Sequence, residues 1–246
     1  MRLDVPASTE KKLQGTARLK AIRERNEERF SQHPWPFLRE AVYTFDPFAK
    51  KEAGGGVRKY PGATMRDPTP SCDCTPGGCE NYLHHIVNMW FQKPRTLWPK
   101  SRRLVTSWTI IALHVWLARY RPGQVIAFVS QKQGQNEDEG AAELVKRGRF
   151  IEDHLPAEVQ PRETHRTWCR TYYPHNNSTI LGIAQGANQL RQLGITAWFG
   201  DEFAFWEQAG QTYTASIPAL EGGGRCTLVS TANPGFMKML VHDAWK

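Results

Sequence analysis

The loop Pro99 to Val105 and the two residues after it (PKSRRLVTS) crowd a lysine, two arginines and three hydroxyls into one short segment, and much later an apolar run ends in the pair Asp201-Glu202. Lys100, Arg102 and Arg103 offer cations to an oxyanion. Thr106 and Ser107 open the stretch TSWTIIALHVWLARY, which reads as a helix whose first N–H groups and positive dipole end face the loop. With Arg95 to Trp98 as a strand before it, the segment is a candidate phosphate-binding turn, with a basic strand-to-helix turn of an ordinary α/β protein as the alternative. It departs from the usual G-x-x-x-x-G-K-[ST] pattern: it has no glycine, Val105 and Thr106 stand at the G-K positions, and Ser107 alone falls where the metal-binding hydroxyl belongs. The acidic pair has its own logic. At the carboxyl end of a parallel strand, Asp201 can hold a Mg2+ that bridges phosphates and Glu202 can polarise a water for in-line attack. A further apolar run, Cys226 to Ser230, ends in Thr231, Ala232, Asn233 and Pro234, polar enough at its tip to sense the terminal phosphate.

A second constellation is CDCTPGGCENYLHH. Cys72, Cys74 and Cys79 with His84 or His85 form a possible Zn2+ site, and the Pro-Gly-Gly turn would fold the thiolates together; thiols in a loop are the alternative, since the spacing is not the usual C-x2-C pair.

These groups must be positioned by alternating strands and helices. Gln124 to Ser130 (QVIAFVS) is an apolar run bounded by turn residues, as in a buried parallel strand. Ser178 to Ile183, Thr196 to Gly200 and Cys226 to Ser230 are further strands. Helices are expected over Asn81 to Trp90 and Asn136 to Phe150, and the whole points to a parallel sheet with helices on both faces. Tyr82, His84 or Gln92, just before the first strand, are candidates for contact with a base. Residues 8–31 mix both charges and read as a solvated helix or as a basic arm touching DNA or a neighbouring subunit. His33 to Asp46 brings back aromatics and is expected to pack on the main domain. Residues 50–71 read as a mobile loop, and Pro156 to Pro174, with Arg162, Arg166 and Arg170, as a solvated face or a DNA-facing loop.

The 246 residues carry a net charge of +8 with 40% hydrophobic residues, which excludes a disordered chain and suits a polyanionic partner. No apolar run is long enough to span a bilayer, no secretory leader is visible at the N-terminus, and a soluble intracellular protein without a membrane partner is expected.

Taken together, KSRRLVTS, QVIAFVSQKQGQ, ILGIAQGANQLRQLGITAWFGDEFAFW and STANP, in that order, resemble the ATPase domain of the large terminase subunits of tailed bacteriophages. The resemblance implies an α/β fold, a RecA-like P-loop NTPase of the ASCE type with a mainly parallel central sheet and an N-terminal helical and loop appendage. It implies residues 1–80 as arm and loop and 81–246 as the ATPase domain, with the nuclease domain of full-length terminases absent, so that the chain is expected to be a fragment. The activity implied is ATP hydrolysis coupled to translocation of double-stranded viral DNA into a procapsid, in the host cell cytoplasm. The implied partners are DNA, the small terminase subunit, the portal protein and further copies in a ring. By position, Lys100, Ser101, Arg102, Arg103, Thr106, Ser107 and Asn233 would contact nucleotide, Ser107 and Asp201 would hold Mg2+, and Glu202 would activate water. Arg191 in QLRQL is the candidate arginine finger offered to the next subunit, with a surface or salt-bridged arginine as the alternative. A helicase-like motor, or a degenerate P-loop module that binds DNA without hydrolysing ATP, are the competing readings.

Overall fold

The computed structural model describes residues 7–46, 56–61, 81–102 and 104–244. The chain begins with helices α1 (Ala7–Gln32) and α2 (Pro34–Ala41), followed by the short strands β1 (Tyr43–Phe45) and β2 (Val57–Lys59). Helix α3 (Tyr82–Gln92), strand β3 (Arg95–Pro99), helix α4 (Thr106–Tyr120), strand β4 (Val125–Ser130) and helix α5 (Gly140–Asp153) follow. Strands β5 (His165–Thr167), β6 (Arg170–Tyr173) and β7 (Ser178–Ala184) lead to α6 (Ala187–Gln192) and β8 (Ala197–Asp201). The chain ends in a short 3-10 turn (Phe203–Phe205), α7 (Ala209–Glu221), β9 (Arg225–Ser230) and α8 (Phe236–Ala244).

Seven strands form one sheet in the order β3-β9-β8-β4-β7-β6-β5. Five of them, β3 through β7 in that order, are mutually parallel, and β6 and β5 add antiparallel pairs at one edge. The mainly parallel α/β sheet expected from the sequence is therefore present. Its two faces are covered by different helices. On one side, α2 to α5 enclose Ile126, Phe128 and Phe199; on the other, residues of α6, α7 and α8 close over Ala127, Val129 and Trp198. Strands buried on both faces read as continuous apolar runs, which is why β4, β8 and β9 are legible in the sequence.

Helix α4 sits between the sheet and the N-terminal helices, so almost its whole circumference, from Thr109 to Ala118, is buried. The N-terminal segment enters the same core: Phe30, Trp35, Phe37 and Leu38 pack with α3 and α4, and the indole of Trp116 donates to the Phe30 carbonyl at 2.6 Å. Helix α3 starts one residue after Asn81, whose side chain accepts from the His84 N–H at 3.2 Å as an N-cap.

Three local expectations are corrected. Helix α5 starts at Gly140 rather than Asn136, because Asn136 accepts the Asp138 N–H through its side chain at 2.8 Å and Gly134 and Gly140 take positive φ, turning 134–139 into a loop. Within 156–174, β5 and β6 form a hairpin. Two of its arginines are paired: Arg162 with Glu27, and the exposed Arg166 in a two-pronged pair with Asp153 at 2.7 and 2.9 Å; Arg170 is exposed, with its guanidinium 5.9 Å from the Tyr172 ring centre. Part of the stretch expected to be a loop, Val57–Lys59, pairs with β1. The proposed zinc thiolates Cys72, Cys74 and Cys79 lie outside the described residues; His84 sits in α3 with its ring 4.9 Å from that of Trp35. Among the described residues no group of three or more His, Cys, Asp or Glu side chains could hold a metal ion, and no helix is long and apolar enough to cross a membrane.

His114, fully buried in α4, packs among Trp90, Phe128 and Phe199. Its Nδ1 donates to the Ile110 carbonyl at 2.8 Å, leaving Nε2 without a hydrogen-bond partner among the described residues. Burial drives its pKa down to about 3, against the Ile110 bond and with help from Arg225. The unfolded chain takes up this proton near pH 6.5 and the folded chain does not. The stability that neutral His114 contributes is therefore complete above about pH 6.5 and is lost as pH falls toward 3, by about 1.4 kcal/mol per pH unit. Urea unfolding between pH 7 and 4.5 should show a steeper loss for the wild type than for His114→Leu; parallel slopes would contradict the assignment.

Candidate nucleotide site at the strand ends

Strand register brings Lys100 and Glu202 to one edge of the sheet, and the first turn of α4 adds Ser107. In the parallel ladders Pro99 stands beside Ser230 and Val229 beside Asp201, so β3, β9 and β8 end nearly level and the residues that follow share one edge of the sheet. The N–H of Lys100 extends the ladder by donating to the Ser230 carbonyl at 2.9 Å. From there the Lys100 ammonium reaches Glu202 Oε1 at 3.1 Å. At the same strand end, Ser107 in the first turn of α4 donates to Asp201 Oδ1 at 2.8 Å. Lys100, Ser107, Asp201 and Glu202, far apart along the chain, thus form one cluster at the carboxyl ends of the strands, where open α/β sheets bind their ligands.

The turn after β8 is held by several bonds. Glu202 takes φ 50° and ψ 39°, a left-handed backbone that costs a non-glycine residue about 1–3 kcal/mol. Ser230 Oγ accepts the Ala204 N–H at 3.1 Å, the Trp206 indole donates to the Asp201 carbonyl at 3.0 Å, and the Asn233 amide donates to the Ala204 carbonyl at 3.1 Å. Thr231 donates to Glu202 Oε2 through both its N–H (3.3 Å) and its hydroxyl (3.2 Å). The tip of β9 therefore grips the glutamate directly.

The two carboxylates differ electrically. Burial pushes the Asp201 carboxyl up; the Ser107 bond and the charges of Arg147 and Lys100 oppose it, Glu202 adds to it, and the net shift is above the ordinary 3.8. Burial also pushes Glu202 up, but the hydrogen bond and charge of Lys100 and the two Thr231 donors outweigh it, and this carboxyl lies below its ordinary 4.5. The Lys100 side chain is only 10% exposed, so its charge acts with little screening, whereas Glu202 keeps 45% exposure toward solvent.

The other expected residues are placed as follows. Ser101 and Arg102 are exposed on the loop, and Thr106 is buried at the start of α4. Arg103 lies outside the described residues. Arg191 is exposed on α6 and borders a depression with Gly210, Gln211 and Thr214, a set that shares no residue with the cluster. Sequence reading missed Arg147 of α5. It pairs with Glu143, lies 5.6 Å from the Trp108 ring centre and is close enough to lower the Asp201 pKa. Nothing in its local sequence distinguishes it from a solvated helix arginine.

No protein-family model matches this chain, and no curated protein matches it in sequence. Solved structures similar to it in fold include phage large terminases. The ATPase domain of the Thermus phage P74-26 large terminase is 16% identical with a TM-score of 0.44, over 59% of this chain and 63% of that one. A large terminase from a thermophilic bacteriophage, solved in complex with ADP, is 14% identical with a TM-score of 0.43, over 62% of this chain and 38% of that one. A second crystal form of that thermophilic phage protein gives 10% identity and a TM-score of 0.45, over 60% of this chain and 38% of that one. The chain thus spans less than two thirds of the length of each of these neighbours. At these scores the likeness carries no argument about activity, which rests on the residues themselves.

The donor set suits a hard cation: a hydroxyl and a carboxylate oxygen within 2.8 Å of each other are the small protein contribution Mg2+ takes when phosphates and waters complete its shell. Carboxyl titration by NMR should find Asp201 above its ordinary value and Glu202 below it, and Lys100→Met should move the Glu202 midpoint upward. A Glu202 midpoint that does not move would show that the lysine does not hold it.

Proposed function

We propose that this chain is the ATP-hydrolysing motor domain of a DNA-packaging terminase, acting on double-stranded DNA. The observation that carries the hydrolase reading is the meeting of Lys100 and Ser107, from the glycine-free loop, with Asp201 and Glu202. A hydroxyl, a carboxylate, a lysine and a second carboxylate at one sheet edge are the parts phosphoryl transfer needs, because the chemistry is mostly positioning and charge stabilisation. The DNA-packaging part rests on the order and wording of the motifs from KSRRLVTS to STANP.

In this reading Ser107 and Asp201 would hold Mg2+, which would supply charge neutralisation at the phosphate oxygens. Lys100 leaves Glu202 for the phosphates, a stronger anionic partner, and its ammonium then stabilises the transferring group. Glu202, released from the lysine but still held by Thr231, orients a water for in-line attack and accepts its proton. A glutamate carboxyl is ionised at neutral pH with or without the lysine, so it is ready for that role. Thr231 is bonded to the base at one end and to the segment leading into α8 at the other, so that loss of the terminal phosphate is felt beyond the site. The exposed Arg191 is assigned to the site of a neighbouring copy in a ring, where it would meet the phosphoryl charge from outside. A small terminase subunit, a portal protein and action in the host cytoplasm belong to the same proposal.

Glu202→Gln keeps size and loses the base. It should reduce ATP turnover by about a hundredfold or more while Mg2+-dependent ATP binding persists. Turnover at the wild-type rate in that variant would remove Glu202 from the chemistry.

A further inference from the structure

The phosphate loop has a conformational problem that its sequence does not solve locally. Val105, the residue before α4, takes φ 58° and ψ 8°, and no side chain caps the helix there. This left-handed conformation costs a β-branched residue more than most, whereas glycine adopts it freely. It also matters for ligand binding. A left-handed residue followed by a helical one turns successive N–H groups toward the same side, the arrangement that forms an anion-binding concavity. Something other than glycine must therefore keep the turn in shape.

Two tyrosines from before β3 reach it from either side. Tyr82, in the first turn of α3, donates its hydroxyl to the Leu104 carbonyl at 3.0 Å. On the far side of Val105, its own carbonyl accepts from the Thr109 N–H at 2.9 Å and from the Thr109 hydroxyl at 3.0 Å. The Thr109 hydroxyl has one proton and gives it to Val105, so the fully buried Tyr60, whose oxygen lies 3.0 Å away, is the donor in the Tyr60–Thr109 bond. The carbonyls of Leu104 and Val105, one on each side of the strained residue, are thus both tied, one to α3 and the other through Thr109 to the segment after β2. The Val105 side chain adds contact with the main core.

We propose that Tyr82, together with Tyr60 acting through Thr109, is a positioning residue that keeps the glycine-free loop in its anion-binding shape. The proposal rests on the nucleotide reading above for its functional consequence, but its structural content stands separately. It explains how a loop without glycine keeps a glycine-like turn: hydroxyl tethers from neighbouring elements replace the freedom of the missing residue. It also gives the segment before β3 a defined task in the site.

The test is a double-mutant cycle between Tyr82→Phe, which removes only the hydroxyl, and Val105→Gly, which removes the need for it. Mg-ATP affinity is measured by calorimetry, and amide hydrogen exchange over residues 104–109 is measured without nucleotide. Tyr82→Phe should weaken Mg-ATP binding roughly 3- to 10-fold and speed exchange in the turn. In the Val105→Gly background the same change should cost less than about 2-fold in affinity and leave exchange nearly unaltered. A simple packing role for Tyr82 would give the same penalty in both backgrounds, and that result, or no effect in either, overturns the proposal. If the wild type binds no Mg-ATP, the nucleotide reading falls and the exchange data alone decide: background-dependent protection upholds the tether, and its absence removes it.

Discussion

Three parallel strands that finish level with one another are the constraint on which the candidate site depends. Because Pro99 pairs with Ser230 and Asp201 with Val229, the next residue of each strand enters the same small volume. Lys100, Thr231 and Glu202 meet there without any long-range loop having to find its partner. A slip of one residue in β8 would send Asp201 to the other face of the sheet, since side chains alternate along a strand. The site is therefore as well defined as the ladder, and the ladder is defended by strands buried on both faces.

Around that edge the protein departs from easy backbone geometry twice, at Val105 and at Glu202. Both positions are braced by groups that come from elsewhere in the chain. Glu202 is held by Ser230, Thr231 and Trp206, Val105 by Tyr82 and Thr109. Strain of this size persists only when the surroundings over-determine it, and here the bracing groups are also those that connect the site to β9 and α8 on one side and to α3 on the other.

Much of this is legible in the sequence, for a physical reason. β4, β8 and β9 are apolar runs ending in polar residues, and a strand buried on both faces must look like that. The meeting of Ser107 and Lys100 with the acidic pair follows from placing both motifs at strand ends. Whatever depends on tertiary partners does not show. The β5 and β6 hairpin is short and mostly polar in sequence, with β5 exposed throughout and β6 burying only Thr171 and Tyr173, and Arg162 and Arg166 look free in the sequence because Glu27 and Asp153 are distant or on another element. Arg147 and Tyr60 carry no motif, and Tyr82 stood out only as a possible base contact; the packing of α5, of the segment after β2 and of α3 around α4 and its loop gives them their places. The start of α5 differs from expectation because two glycines and an asparagine favour a loop more strongly than the charged stretch favours helix.

The site stands or falls on whether the basic loop and the acidic strand end take hold of one metal–triphosphate between them. The affinity of ATP with and without Mg2+, for the wild type, for Ser107→Ala and for Asp201→Asn, decides it. If they do, Mg2+ tightens ATP binding to the wild type, and either substitution abolishes that dependence while leaving metal-free ATP binding nearly unchanged. An ATP affinity that is indifferent to Mg2+ in the wild type, or a Mg2+ effect that survives in both variants, would contradict a shared metal–nucleotide site.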